Sequence, residues 1–202
     1  MNAARSIAMA IPTCLLVTSA GTAGGFDIGL VTGVGLNDSR STGRYGAIDQ
    51  GPFLAIRGGR RLNRQADAFL SVAHHRIQFS APSAAIVESE KKGAWEAQLG
   101  IEHALLARAR WIRLLSALGY LRTSTPTFVS TSSTAKADST SDYVFIVGLV
   151  VGSNRPTDRV RFRYSVVDRI SPFDSLRGRA THVVELGVGV SVNLDRGCDP
   201  CR

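Results

Sequence analysis

The stretch Val184-Glu185-Leu186-Gly187-Val188-Gly189-Val190-Ser191-Val192-Asn193-Leu194 decides the fold. Every even-numbered position is aliphatic. The odd-numbered positions between them are Glu, Gly, Gly, Ser and Asn. Only an extended strand sends alternate residues to opposite faces, so this period of two predicts a β-strand with one wholly aliphatic side. The same pattern recurs near the other end of the chain. Phe26, Ile28, Leu30, Val34 and Leu36 alternate with Asp27, Gly29, Gly33, Gly35 and Asn37. A third case sets Trp95, Ala97, Leu99, Ile101 and Leu105 against Glu96, Gln98, Gly100 and Glu102.

Working outward from these three, further strands are expected over Phe53–Arg60, Ala66–Phe79, Ile112–Thr123, Asp142–Ser153 and Arg159–Arg169, about eight in all. The local rival is a helix over Trp95–Leu118, which is rich in Ala, Leu, Glu and Arg. Strict alternation through Leu105, with Gly100 and Gly119, favours strand. Connections alternate in length. The gaps near 38–50, 80–92, 124–141 and 170–180 are long and rich in Ser, Thr, Gly and Asp, whereas those near 61–65, 106–110 and 154–158 are tight. In an up-and-down meander every second connection lies at the same end, so tight turns gather at one end and long loops at the other.

The two faces imply a membrane. The second face, mostly Gly, Ser and Ala, makes a poor water surface but suits the narrow interior of an eight-stranded barrel, where few large side chains fit. Charges inside need partners, because an unpaired buried charge is costly. Glu96, Glu102 and Glu185 are therefore expected to meet Arg57, Arg161 and Arg163 in a network that seals the lumen. Trp95, Tyr120 and Tyr143 fall at strand ends beside long loops and Trp111 beside a short turn, as amphipathic rings do at the two membrane interfaces. The fold class is thus all-β: an eight-stranded antiparallel up-and-down transmembrane β-barrel over 24–194.

The N-terminus has the layout of a secretory signal peptide over 1–23. Arg5 is followed by the mainly apolar Ile7–Val17 and then by Ser19-Ala20-Gly21-Thr22-Ala23, with cleavage expected after Ala23 or after Ala20. Two cysteines, Cys198 and Cys201, then remain in a short periplasmic tail over 195–202. An oxidising compartment permits a disulfide between them, with free thiols as the alternative. A lone C-x-x-C without a partner His or second Cys pair makes a poor zinc site, and no metal or cofactor is expected. The chain of 202 residues carries a formal net charge of +8, of which one unit leaves with Arg5. Much of the remainder is arginine at the tight turns: Arg60, Arg61, Arg64, Arg108, Arg110, Arg155 and Arg159. They are expected to form a basic rim facing the periplasm and anionic headgroups. No nucleic-acid motif accompanies the charge, and Gly33-Val34-Gly35 lacks the third glycine of a dinucleotide fingerprint.

On its strand count, loop alternation, signal peptide and final strand, the sequence resembles the small eight-stranded outer-membrane barrels of Gram-negative bacteria, the outer-membrane-protein-A-like and opacity-protein-like group. Glu185, Gly187, Val190 and Val192 resemble that group's C-terminal insertion signal, with aliphatics where aromatics are usual. The resemblance implies an outer-membrane location and contact with the barrel-insertion machinery during assembly. It also implies lipopolysaccharide and phospholipid as lipid partners. It implies a non-enzymatic envelope or surface-contact role through the long loops, including Arg44, Tyr45, Phe128 and Phe173. Three alternatives are distinguishable. A lipid A deacylase or acyltransferase needs a nucleophile and a base. His74, His75, His103 and His182, with Ser80 and Ser83, supply no His-x-Ser pair with a matched carboxylate. A lipocalin-like barrel needs its apolar face inward. A diffusion pore needs a lumen wider than eight strands allow.

Overall fold

The computed structural model describes residues 25–37, 47–63, 65–80, 92–106, 109–124, 128–129, 134–135, 139–153, 159–175 and 179–194. The expected signal peptide, Arg64, Arg108, Arg155, the loop residues Arg44 and Tyr45, and the tail with Cys198 and Cys201 lie outside the described residues. The strands in chain order are β1 (Phe26–Asn37), β2 (Ala47–Arg61), β3 (Ala66–Ser80), β4 (Lys92–Ala104), β5 (Ile112–Ser124), β6 (Phe128–Val129), β7 (Thr134–Ala135), β8 (Ser139–Gly152), β9 (Val160–Asp174) and β10 (Arg179–Asn193). Eight of them close a barrel in the order β1-β10-β9-β8-β5-β4-β3-β2, every neighbour antiparallel, while β6 and β7 form a small hairpin of their own. Each barrel strand is longer than the roughly 9–11 residues that cross a bilayer.

The segment with helix-forming composition is strand on both sides of its turn, β4 and β5 pairing from Ala94↔Thr123 to Ala104↔Arg113. Pairing on both flanks satisfies every backbone group of these strands, and that outweighs local propensity. At the tight turn between β2 and β3, the Asn63 Oδ1 accepts from the amides of Gln65 (2.8 Å) and Ala66 (2.9 Å), so the side chain stands in for a backbone turn. The turn between β4 and β5 is held by Leu105 N–H donating to Ile112 O at 3.1 Å.

Two expected boundaries differ. β2 begins at Ala47 rather than at Phe53. Gln50 pairs with Ile77 and Phe53 with His75, so Gly51 and Pro52 together oppose Arg76 in a bulge. A bulge tolerates a proline that cannot donate to the ladder, and these two residues read as loop in sequence for the same reason. The stretch 170–180, expected as a long loop, is mostly strand: β9 runs to Asp174 and β10 starts at Arg179. Pro172 and Phe173 oppose Ala180 in a second bulge, beyond the last β8–β9 pair at Phe145↔Ile170, so β8 asks no ladder amide of Pro172. Three long connections therefore remain at that end, over 38–46, 81–91 and 125–138, with the β6–β7 hairpin inside the last.

Closure is made by β1 against β10, where Gly33 faces Gly187. A Cβ on Gly33 would lie 2.7 Å from the Phe53 ring and 2.8 Å from the Gly187 Cα. The backbone cannot retreat and the buried Phe53 ring has little room, so overpacking is unavoidable. Gly33→Val is expected to destabilise the closed barrel by ~1–3 kcal/mol. The measurement is the urea midpoint of the refolded protein, and an unchanged midpoint would refute the close-approach argument.

Candidate functional site: a charged lumen inside an aliphatic wall

The outward phase of every barrel strand is apolar over its middle. Leu30, Ile56, Leu70, Leu99, Leu118, Val147, Val166 and Val188 all point away from the barrel and are exposed. Towards the loop end this wall turns polar, with His74, Arg76, Arg122 and His182 exposed and Asp168 half-buried. Trp95, Tyr120 and Tyr143 stand at that border. Trp95 packs edge-on against His74 at 4.8 Å, and Tyr120 against Tyr143 at 5.8 Å. Trp111 is exposed at the turn end. A barrel clothed in aliphatics between two polar collars is inside out for water. A hydrocarbon layer is the medium that matches it.

The lumen is charged at two levels. At the turn end Glu102 is the hub. Its Oε1 lies 2.9 Å from Arg57 Nη2 and is also contacted by Arg163, and Arg113 Nη1 lies 3.8 Å from its Oε2. Arg113 also meets Asp67, which lies 3.7 Å from Arg61 Nε. The Arg57 guanidinium sits 3.6 Å above the Phe69 ring. Nearer the loops, Arg169 is the hub. Its Nη1 donates to Glu96 Oε2 at 2.9 Å, its Nε lies 3.1 Å from Glu185 Oε1, and it also meets Gln50. His75 Nε2 approaches Glu96 Oε2 at 3.1 Å, and Gln98 donates to Glu96 Oε1 at 2.8 Å. Glu96 is 1% exposed and Arg169 2%, so this pair is as buried as any core side chain.

The six residues expected to form the network all point inward, but not as one cluster. Arg57, Glu102 and Arg163 meet; Glu96 and Glu185 share Arg169 instead. Arg161 faces Asp27 at 3.5 Å. Sequence reading passed over Asp27, Asp67, His75, Arg113 and Arg169 as lumen residues. Their phase was the available signal: Arg169 follows Arg163 by three full alternations on β9, and Arg113 shares the face of Leu115 and Ala117. The expectation of an inner face that is mostly small and polar also needs revision. Leu115, Leu121, Val144, Ile146 and Val150 are buried inside β5 and β8. Aliphatics thus fill the side of the lumen opposite the glycines of β1 and β10. Among the expected rim arginines, Arg60 and Arg159 are exposed at the turn end, Arg110 is half-buried, and Arg61 turns into the lumen.

His182 Nδ1 lies 3.0 Å from Asp168 Oδ2 on the outer wall, the spacing of a base and its orienting carboxylate. Ser80 belongs to β3, separated from β10 by β2 and β1, and Ser83 lies outside the described residues. Among the described residues no group of His, Cys, Asp and Glu is arranged to hold a metal ion, and no helix is long and apolar enough to cross a membrane.

No protein-family model and no curated protein matches the sequence. Solved structures do match in shape. Neisserial surface protein A superposes with a TM-score of 0.51 at 11% identity, over 86% of this chain and 100% of that one. The attachment invasion locus protein Ail of Yersinia pestis superposes with a TM-score of 0.50 at 14% identity, over 84% of this chain and 97% of that one. The N-terminal β-barrel domain of Pseudomonas aeruginosa OprF also aligns, with a TM-score of 0.47 at 9% identity, over 84% of this chain and 98% of that one. The chain has the fold of the small eight-stranded outer-membrane β-barrels.

Proposed function

We propose that the chain is a non-enzymatic outer-membrane protein. Its barrel is an anchor, and its long connections are presented at the cell surface for structural or surface contact. The observation that carries this reading is the combination of a filled lumen with one-ended loops. Both charged layers and the aliphatics of β5 and β8 occupy the interior, which leaves no wide channel for diffusion. The three long connections leave from one end, and the tight turns and the barrel termini from the other. In this reading the loop end meets lipopolysaccharide through the Trp95, Tyr120 and Tyr143 collar. The turn end meets phospholipid, and the final strand engages the insertion machinery during assembly.

Protease treatment of intact cells tests the orientation. Cleavage within 125–138 is expected, detected with an epitope placed there, while an epitope at the 62–65 turn stays protected. The reverse pattern, or full protection of both, would overturn the proposal. The lipid-modifying alternative rests on the His182–Asp168 pair alone. Mass spectrometry of lipid A from cells with and without the protein is expected to show identical acyl patterns. A changed pattern abolished by His182→Ala would establish the enzyme instead.

A further inference from the structure

We propose that the turn-end half of the lumen is a binding site for a small phosphate-bearing anion. Arg57, Arg61, Arg113, Arg161 and Arg163 line one cavity together with Asp27, Asp67 and Glu102. Among the described residues this layer therefore holds five guanidiniums against three carboxylates. The pairing is correspondingly thin. Glu102 is shared among Arg57, Arg113 and Arg163, and among the described residues Arg161 has only Asp27 as an ion-pair partner, at 3.5 Å. Among the described residues the Nε–H groups of Arg161 and Arg163 are buried without a hydrogen-bond partner, as is one acceptor, Asp67 Oδ1. Arg57 and Arg113 are each more than nine-tenths buried. Inside an aliphatic wall a surplus of two positive charges is costly, because the wall offers no counter-charge and water reaches the layer from one end alone.

A phosphate group answers each of these features. It carries up to two negative charges, and its oxygens match the fork of donors that a guanidinium presents. The cavity measures about 50 Å³, room for a small oxyanion but not for a nucleotide or a sugar. It reaches Gly25, Arg60, Arg110 and Ser153 and so opens at the turn end. The loop-end layer blocks further travel, since there Glu96 and Glu185 face a single arginine and His75. The anion enters from the turn end and stops at Glu102. Its source is either free phosphate or the phosphate of a phospholipid headgroup bending in from the adjacent leaflet.

The test uses the whole mature chain refolded in a phosphate-free maltoside detergent. In one arm inorganic phosphate is titrated at fixed ionic strength with chloride as the balancing ion. Binding is followed by calorimetry and by broadening of the phosphorus NMR line. In the second arm phosphatidylglycerol replaces free phosphate. Saturable binding is expected in at least one arm, and the arm that responds identifies the source. Arg161→Gln combined with Arg163→Gln is expected to weaken it by about tenfold or more, and Arg122→Gln, on the outer wall, to leave it unchanged. Heat-modifiable migration on a gel shows whether each variant still closes its barrel. If the double variant does not fold, the wild-type titrations alone decide. No saturable binding in either arm, a response equal to that of chloride, or full binding by the folded double variant would overturn the proposal.

Discussion

Glu96→Ala is expected to cost the barrel ~3–5 kcal/mol, because it leaves a buried arginine without its main partner. Arg169 is held by Glu96 at 2.9 Å and Glu185 at 3.1 Å, and His75 leans on the same Glu96 oxygen at 3.1 Å. Removing Glu96 strands one lobe of the guanidinium, removes the acceptor of Gln98 and takes away the carboxylate that His75 Nε2 approaches. Arg169 and His75, each 2% exposed, cannot turn to solvent. The readout is the urea midpoint of protein refolded into lipid vesicles, followed by fluorescence of Trp95 and Trp111. A double-mutant cycle separates loss of the pair from loss of packing. In an Arg169→Met background the same Glu96→Ala change is expected to cost far less, because no stranded cation remains. An unchanged midpoint for Glu96→Ala alone would show that the loop-end layer contributes nothing to stability.

The wall was legible in the sequence because it is written by a single rule. A face in contact with hydrocarbon admits few exceptions, so Val184 through Leu194 and Phe26 through Leu36 show it without interruption. The lumen follows no such rule. Its occupants are chosen by what stands across the barrel, and that partner is on another strand. Glu96 and Arg169 are 73 residues apart, and Glu102 and Arg163 are 61 apart. The phase of the alternation told which residues point inward, and so Arg57, Glu96, Glu102, Arg161, Arg163 and Glu185 were found. It could not say which of them meet, because that depends on strand order and register. The interior of β8 was harder still. Val144, Ile146 and Val150 face the lumen while Phe145, Val147, Leu149 and Val151 face outward, so both faces are apolar and the alternation disappears. Gly51-Pro52 and Pro172 were misleading for a different reason. Their chemistry is that of loops, and only the bulge opposite Arg76 and the end of pairing beyond Ile170 make room for them in strands.

The two lumen layers differ in what they ask of the surroundings. In the loop-end layer the carboxylates Glu96 and Glu185 gather on Arg169, with His75 beside them. In the turn-end layer arginines outnumber carboxylates instead, and the surplus cations lie next to an opening. A barrel that needed only to be sealed would have no use for that second arrangement, since a neutral aliphatic filling of the kind already present in β5 and β8 would seal it at lower cost. The asymmetry therefore points to a role for the turn end that stability alone does not explain.

Leu118→Arg carries the second large effect and tests the wall rather than the lumen. Leu118 is 60% exposed on β5, pairs with Leu99 and Phe145, and has an apolar neighbour on either side around the barrel. It sits at mid-height, between Leu114 and the Tyr120 collar. An arginine at the centre of the hydrocarbon layer costs ~2–4 kcal/mol and one near the interface only ~0–1 kcal/mol. The natural Arg122 lies four residues closer to the loops on the same outward face and is tolerated there. Moving the charge along β5 should therefore trace the depth of the layer: Leu118→Arg strongly destabilising, Tyr120→Arg weakly so. The measurement is again the urea midpoint in vesicles, taken beside the same variants in detergent, where the charged side chain finds water at little cost. If Leu118→Arg and Tyr120→Arg shift the vesicle midpoint equally, the outer face is not graded by depth. If neither variant shifts it, the aliphatic wall does not face hydrocarbon.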